Sequence, residues 1–280
     1  MSHTTDRSPA EYPPIAAPDR KDTMPAPSST LPAAGTTDWL GLAGRRVLVA
    51  GAGGIGAACA GAFADAGAQV TAADVSDERL EALDGRVVPL RADLATREGC
   101  EELVGAAGTT MGGLDVLVHA IGVNHRVPLL DVDDESWRRI LDVNLSSAFW
   151  LGRAAGRLML AAGSGRQVYC SSVSGRLAHP DHGPYAASKG GLDQLVRVMA
   201  REWAGGGVTV NAVAPGYTET DLTREHLDRP GVRDHYTSLV PAGRLGGVDD
   251  LTGPVLFLAS ARAAFVTGHV LYVDGGRTLV

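Results

Sequence analysis

The chain has 280 residues, of which 45% are hydrophobic, and a formal net charge of -7 at pH 7. This length suits a single large α/β domain with a sizeable core. The negative charge argues against a general nucleic-acid binder, because neutralising phosphates requires clustered Lys and Arg. Apolar runs are interrupted by Gly, Arg or Asp well before they reach the length of a membrane span. Composition therefore predicts a globular protein with neither nucleic acid nor membrane as its partner.

Residues 1–38 differ in kind from the rest of the chain. They are rich in Pro, Ser and Thr and show no apolar periodicity. A secretory signal needs a continuous apolar stretch, and this segment has none. We expect a disordered, Pro-rich N-terminal tail.

From Arg45 onward, short apolar runs alternate with longer segments of helical period, which is typical of repeated βαβ units and a mainly parallel sheet. The predicted strands are Arg46–Ala50, Gln69–Ala73, Val87–Leu90, Val116–Ala120, Gln167–Cys170, Val208–Val213 and Val270–Val273. The predicted helices are Ile55–Ala66, Arg97–Met111, Glu135–Ala161, Tyr185–Ala204 and Asp249–Ser260. Residues 218–246 are weakly patterned, and we expect this excursion from the sheet to cover a ligand.

The three cysteines, Cys59, Cys100 and Cys170, lie far apart and show no C-x-x-C spacing. An odd, unpatterned set is typical of reduced thiols packed in a core. Because disulfides are rare in the cytosol, this pattern predicts a cytoplasmic protein.

The first predicted strand runs directly into a glycine-rich turn, Gly51-Ala-Gly53-Gly54-Ile55-Gly56, which opens a helix. Such a turn lets the backbone approach a pyrophosphate at the helix N-terminus. Asp74 ends the second strand, where its carboxylate can accept hydrogen bonds from adenosine ribose hydroxyls. It would also repel a 2′-phosphate, and no arginine adjoins it in the sequence, so NAD is favoured over NADP. Arg79, one turn into the next helix, is the reservation, because its side chain could reach a 2′-phosphate and weaken the preference for NAD. The alternative is a tight turn with a solvated helix-capping acid.

Apart from Lys21, the chain has one lysine, Lys189, in Tyr185-Ala-Ala-Ser188-Lys189. Positions i and i+4 of a helix share a face, so Tyr185 and Lys189 are expected side by side. The ammonium would favour the phenolate and lower the pKa of Tyr185. The alternative is a chance surface lysine.

Together with Asn144 and Ser172, these motifs resemble the short-chain dehydrogenase/reductase family over roughly Gly41 to the C-terminus. Further matching segments are Asp93 after the third strand, Asp142-Val143-Asn144-Leu145, Ser171-Ser172-Val173, Pro215-Gly216-Tyr217-Thr218-Glu219-Thr220 and Val273-Asp274-Gly275-Gly276. The resemblance implies an α/β class: a single-domain, doubly wound Rossmann fold with a seven-stranded, mainly parallel sheet over residues 39–280. It also implies a homotetramer built through the helices 135–161 and 185–204, with apolar residues such as Phe149, Trp150, Leu192 and Leu195.

The resemblance also implies a set of site residues. Tyr185 would be the base, Ser172 would hold the substrate oxygen, Lys189 would hold the nicotinamide ribose, and Asn144 would order a relay water. The expected cofactor-binding residues are Gly51, Gly53, Ile55, Gly56, Asp74, Asp93, Leu94, Gly122, Tyr185, Lys189, Pro215, Gly216, Thr218 and Thr220. The expected substrate residues are His125, Arg126, His179, His182 and Tyr217. His179-x-x-His182 lacks a thiolate or an evident third ligand, so no metal is predicted.

Two departures from the family pattern stand out. Ala50 replaces a threonine, and the glycine turn is one residue shorter. His119-Ala120-Ile121-Gly122 replaces Asn-Asn-Ala-Gly, which implies altered local hydrogen bonding with the chemistry retained. His119 is either a structural residue or a contact to the cofactor.

Three segments resemble the gluconate 5-dehydrogenase and 2-deoxy-gluconate dehydrogenase branch: residues 122–128, 214–223 and 268–276. We therefore expect an NAD(H)-dependent oxidoreductase that interconverts a secondary alcohol and a ketone on a polyol, sugar or sugar acid. The alternatives are a 3-oxoacyl or natural-product ketoreductase, for which NADPH is more usual, and a non-catalytic nucleotide-sensing protein.

Overall fold

The computed structural model describes residues 38–280. The tail predicted over residues 1–38 therefore lies, except for Asp38, outside the described residues. Asp38 belongs to the folded unit, because its carboxylate accepts hydrogen bonds from the backbone N–H groups of Leu42 and Ala43 at 2.9 and 3.1 Å.

Seven strands form one sheet in the order β3-β2-β1-β4-β5-β6-β7. They are β1 (Arg46–Ala50), β2 (Gln69–Asp74), β3 (Val87–Arg91), β4 (Val116–His119), β5 (Gly165–Cys170), β6 (Val208–Pro215) and β7 (Val270–Val273). All neighbouring pairs in this sheet are parallel. The central strands are buried on both faces, which explains their continuous apolar sequences. The predicted doubly wound α/β fold is confirmed.

The helices cover both faces of the sheet. They are α1 (Gly54–Asp65), α2 (Asp77–Glu81), α3 (Arg97–Met111), α4 (Asp134–Leu141), α5 (Ser147–Ala161), α6 (Gly183–Trp203), α7 (Asp221–Leu227), α8 (Val232–Ser238) and α9 (Asp249–Ala259). One core contains apolar side chains of α3, α5 and α6, and the other contains those of α1 and α9. The order of the strands reverses beside β1, where ligands bind in open α/β sheets.

The predicted helix over residues 135–161 is interrupted. A π-helical turn, Asp142–Ser146, separates α4 from α5 and contains Asn144. In this turn the backbone N–H of Ser147 donates to the carbonyl of Asp142, five residues back. Such turns are frequent at functional sites.

The excursion over residues 218–246 contains α7 and α8, which the weak sequence pattern did not indicate. A parallel bridge between Thr218 and Gly246 closes its base. Within the excursion, Tyr236 of α8 packs on Tyr217, with ring centroids 4.2 Å apart. The excursion therefore lies over the carboxyl edge of the sheet.

Candidate active site

A cavity of about 990 Å³ opens at the carboxyl edge of the sheet and is covered by α7 and α8. Its size is at the upper end of the range for small-molecule and cofactor sites. All predicted site residues line it except Gly56 and Asn144, which lie directly behind its wall. The cavity thus brings together residues that lie far apart in the sequence.

The glycine turn forms the wall beside β1. Gly51 has φ of +101°, and a Cβ at this position would lie 2.8 Å from the carbonyl oxygen of Ala120. A Cβ at Gly56 would lie 1.8 Å from the carbonyl oxygen of Gly51. Only glycine fits both places. Gly53, Gly54 and Ile55 line the cavity at the N-terminus of α1, which has no side-chain cap. Uncapped backbone N–H groups at a helix N-terminus suit a pyrophosphate.

Asp74 lies at the end of β2 and is almost fully buried. Its carboxylate accepts hydrogen bonds from the backbone N–H groups of Ala52 at 2.9 Å and Ser76 at 3.0 Å. No arginine is next to this acid in the sequence, but the fold brings Arg79 to it. Ser76 caps the short helix α2, and this helix brings the guanidinium of Arg79 to 3.5 Å from Asp74 Oδ2 and against Gly53.

Tyr185 and Lys189 lie on α6, and Ser172 follows β5. The Nζ atom of Lys189 lies 5.7 Å from the centroid of the Tyr185 ring. Burial raises the pKa of Tyr185, against the opposing influence of Ser172 and of the Arg126 cation. This differs from the expectation that Lys189 lowers it: in the protein alone, desolvation of the phenolate decides the direction.

Lys189 is itself buried, with 2% of its surface exposed. Its ammonium donates to the carbonyl of Cys170 at 2.7 Å. Burial lowers the pKa of Lys189 to about 8, while Cys170 and Asp193 act in the opposite direction. Asp193 is held in place by Ser171, whose hydroxyl donates to Asp193 Oδ1 at 2.5 Å. Sequence reasoning missed Asp193, although its position four residues after Lys189 was a usable signal.

Asn144 is fully buried in the π-helical turn. Its Oδ1 accepts from the backbone N–H of Val123 at 2.8 Å, and its Nδ2 donates to the carbonyl of Val123 at 2.9 Å. Nδ2 also donates to the hydroxyl of Ser188 at 3.1 Å, which in turn donates to the carbonyl of Tyr185. Asn144 therefore connects the loop after β4 to the catalytic helix.

His119 ends β4 and is fully buried, away from the cavity surface. Its Nε2 lies 2.8 Å from the hydroxyl oxygen of Ser147. Burial lowers the pKa of His119 to about 3. Of the two interpretations of His119, the structure supports the structural one.

The far end of the cavity carries most of the predicted substrate residues. Arg126 Nε donates to Nε2 of His182 at 3.3 Å, while His182 Nδ1 donates to the carbonyl of Pro180 at 2.7 Å. His179 lies between His182 and Tyr217, with ring centroids 5.7 and 5.8 Å away. Burial lowers the pKa of both histidines, so their rings are neutral near pH 7.

Two residues of this end were missed from the sequence. His226 of α7 and Tyr236 of α8 line the cavity, and His226 Nε2 lies 3.1 Å from the hydroxyl of Tyr236. His125 lines the mouth of the cavity and is exposed. Among residues 38–280, no group of three or more His, Cys, Asp or Glu side chains is placed to hold a metal ion. Within the same range, no helix is long and apolar enough to cross a bilayer.

Comparison with known proteins adds to this geometry. A family model described as enoyl-(acyl carrier protein) reductase matches residues 49–278. Galactitol 2-dehydrogenase (L-tagatose-forming) of Cereibacter sphaeroides is 38% identical over 248 residues, covering 85% of this chain and 96% of that protein. A 3-oxoacyl-(acyl-carrier-protein) reductase of Escherichia coli (strain K12) is 38% identical over 247 residues, covering 85% and 98%.

The solved structures include similar folds. A gluconate 5-dehydrogenase from Burkholderia cenocepacia J2315, solved in complex with NADP and tartrate, has a TM-score of 0.82 and 35% identity. The match covers 87% of this chain and 98% of that chain.

Proposed function

This chain belongs to the short-chain dehydrogenase/reductase family, and from that premise we propose that its cavity interconverts a secondary hydroxyl and a ketone on a sugar acid or polyol. The observation that carries the proposal is the joint placement of Ser172, Tyr185 and Lys189 in one cavity with the glycine turn. Bound nicotinamide dinucleotide supplies the hydride acceptor or donor. The chain's own groups supply binding and proton transfer.

Tyr185 is the group that exchanges the hydroxyl proton. Its raised pKa keeps the phenol protonated in the protein alone, which suits donation of a proton to a ketone oxygen during reduction. In the oxidative direction the same oxygen accepts the proton of the alcohol. Ser172, at the end of β5, can donate a hydrogen bond to the substrate oxygen as charge develops there.

Lys189 and Asn144 stand behind this pair. Lys189 is anchored by the carbonyl of Cys170 and holds a cation below the tyrosine. A Cβ on Gly122 would lie 3.6 Å from Lys189 Nζ and 3.9 Å from Asn144 Oδ1, so glycine leaves room between these groups.

Arg126 supports an anionic or polyhydroxylated substrate. Within residues 38–280 its guanidinium contacts the neutral ring of His182, and no carboxylate pairs with it. A cation that faces a cavity without a protein counter-ion favours a ligand carboxylate or hydroxyls. The Burkholderia relative was solved with tartrate, which is a hydroxy dicarboxylate. We therefore rank sugar acids first and neutral polyols second.

NAD is the proposed cofactor, with a narrow margin over NADP. Asp74 disfavours a 2′-phosphate by charge repulsion, but Arg79 lies 3.5 Å from the same carboxylate and offsets it. Three solved relatives contain NADP. The free thiols of Cys59, Cys100 and Cys170, all buried, support a cytoplasmic location.

The test is a substrate panel with purified full-length protein and each cofactor. The panel contains gluconate, galactitol, threitol and a 3-oxoacyl thioester, and reduced cofactor is followed by absorbance. We expect the highest kcat/KM with a sugar acid. Preference for the thioester would instead support the ketoreductase alternative. Tyr185→Phe is the control: it keeps the ring and removes the proton-transfer group, so turnover within a few-fold of wild type would overturn the catalytic assignment.

A further inference from the structure

His119 occupies a buried position at the centre of the sheet. It is in register with Ala50 of β1 and Tyr169 of β5, and none of its surface is exposed. A polar ring in such a place is stabilised only if its hydrogen bonds are satisfied. The partner of its Nε2 is the hydroxyl of Ser147, the first residue of α5.

The direction of the hydrogen bond between His119 and Ser147 follows from a second contact of the serine hydroxyl. The Ser147 hydroxyl lies 2.6 Å from the carbonyl oxygen of Val143, and a carbonyl only accepts, so the serine hydrogen is used there. Nε2 of His119 must then carry the proton and donate to Ser147. Nδ1 is left as a lone pair without a partner among the described residues. A neutral ring with one fixed tautomer therefore donates into a chain that ends at Val143.

This chain of hydrogen bonds ends beside Asn144. Val143 and Asn144 are consecutive residues of the π-helical turn, and a π turn is less stable than the α-helix that flanks it. The contact of Ser147 with Val143 adds a side-chain bond to the carbonyl that precedes Asn144. That bond requires the serine hydroxyl to be oriented, and the His119 donor orients it.

We propose that His119 is a positioning residue: through Ser147 it fixes the π-helical turn that presents Asn144 to Val123 and Ser188. The proposal rests on the proposed function, because it concerns the same catalytic set. His119 replaces the first asparagine of the family motif with a longer donor that reaches the turn itself. Removing the donor lets the turn relax toward regular helix and moves Asn144 relative to Lys189.

Three variants test the proposal. His119→Leu removes the donor, and Ser147→Ala removes the same bond from the other side with a smaller change in volume. His119→Gln keeps an N–H donor at the distance of Nε2. We expect the first two to lower kcat at least about tenfold with little change in cofactor Kd, and the double variant to be no worse than either single one. His119→Gln should recover most of the activity.

A second readout needs no substrate. In a Lys21→Arg background the protein has a single lysine, so the ¹³Cε resonance of labelled lysine reports Lys189 alone. We expect His119→Leu and Ser147→Ala to move its titration midpoint by about half a pH unit, because Asn144 and His119 both lie near the ammonium.

The outcomes separate the two proposals. If Tyr185→Phe is inactive but His119→Leu and Ser147→Ala both keep wild-type kcat and the wild-type Lys189 midpoint, the positioning role is overturned and the proposed function stands. If Tyr185→Phe stays active, the proposed function fails, and the Lys189 midpoint still decides the role of His119. If His119→Leu does not fold, Ser147→Ala decides alone.

Discussion

Lys189 is a buried cation whose charge is supported mainly by the Cys170 carbonyl and, at longer range, by Asp193. Burial disfavours the ammonium, so its pKa falls to about 8 from an ordinary value of 10.5. The buried Lys189 therefore lowers the free energy of unfolding when it is protonated. This loss of stability grows as the pH falls from 10.5 to 8 and is constant below pH 8. Above pH 8 the folded protein increasingly lacks the cation.

We predict that this titration is directly visible. In Lys21→Arg protein labelled with ¹³Cε-lysine, the one remaining resonance should shift with a midpoint near pH 8. Addition of cofactor gives a second titration curve for comparison. A midpoint at the ordinary lysine value would mean that the ammonium is solvated and that the buried placement is wrong.

Asp74 and Arg79 give a second prediction at the residue scale. Asp74→Ala should raise the ratio of kcat/KM for NADP over NAD about tenfold, which corresponds to about 1.4 kcal/mol. Arg79→Ala should lower the same ratio, because the cation that offsets a 2′-phosphate is removed while Asp74 remains. Arg91→Ala is a matched control, since that arginine pairs with Asp77 outside the cavity. An unchanged ratio in both test variants would remove the pair from cofactor selection.

How far the sequence predicts single residues depends on spacing. Tyr185 and Lys189 follow from helical periodicity, and Asp74 from its place at a strand end. The approach of Arg79 was underestimated, because it depends on α2, a five-residue helix that carries no apolar period. Tyr236 and His226 were missed for a similar reason: α7 and α8 are short, and the packing of Tyr236 against Tyr217 and His226 is a tertiary effect.

At the scale of elements, the turn between β1 and α1 is fixed by two backbone contacts that exclude side chains. Gly56→Ala would drive a Cβ into the carbonyl oxygen of Gly51, and backbone cannot move aside as a flexible side chain can. We expect a loss of about 3 kcal/mol in stability and at least tenfold weaker cofactor binding. Calorimetry and cofactor titration measure the two effects.

Gly61→Ala in the same helix is the control for this prediction. A Cβ there has nothing within 4 Å, so the change should be neutral or stabilise α1 by up to about 1 kcal/mol. If Gly56→Ala and Gly61→Ala behave alike, the close contact at the turn does not exist as described.

The strands and long helices were predictable to within about two residues, because buried parallel strands give continuous apolar runs and helices give a 3.6-residue period. The π-helical turn was not. Its insertion leaves the apolar pattern of residues 135–161 nearly unchanged, and what stabilises it, the His119–Ser147 contact, joins positions 28 residues apart.

At the scale of the whole molecule, we propose a homotetramer that uses α4, α5 and α6. Of the residues expected at this surface, Phe149 is exposed, and Trp150 and Leu195 pack partly against the chain's own core. Leu192 is fully buried and packs in the chain's own core, so it is not available to an interface. Trp137, Leu158 and Val198 are exposed on the same helices.

Light scattering after size exclusion at micromolar concentration should give four times the 29.0 kDa chain mass. Phe149→Asp should lower the mass, because it places a charge in the proposed interface. Leu130→Asp, at an exposed position outside these three helices, is the control and should leave the mass unchanged. A monomeric wild type would refute the assembly.

The all-parallel strand order also has a kinetic consequence. Asn144 precedes β5, Ser172 follows it, and Tyr185 lies on the crossover to β6, so the reacting groups meet only after successive crossovers have closed. Such non-local pairings form late. The chain loses conformational entropy when each loop closes, before the contacts that offset this loss have formed. In a refolding experiment we therefore expect helical circular dichroism to return first and enzymatic activity last. A chain nicked between β5 and β6 should keep much of the helical circular dichroism and little of the enzymatic activity.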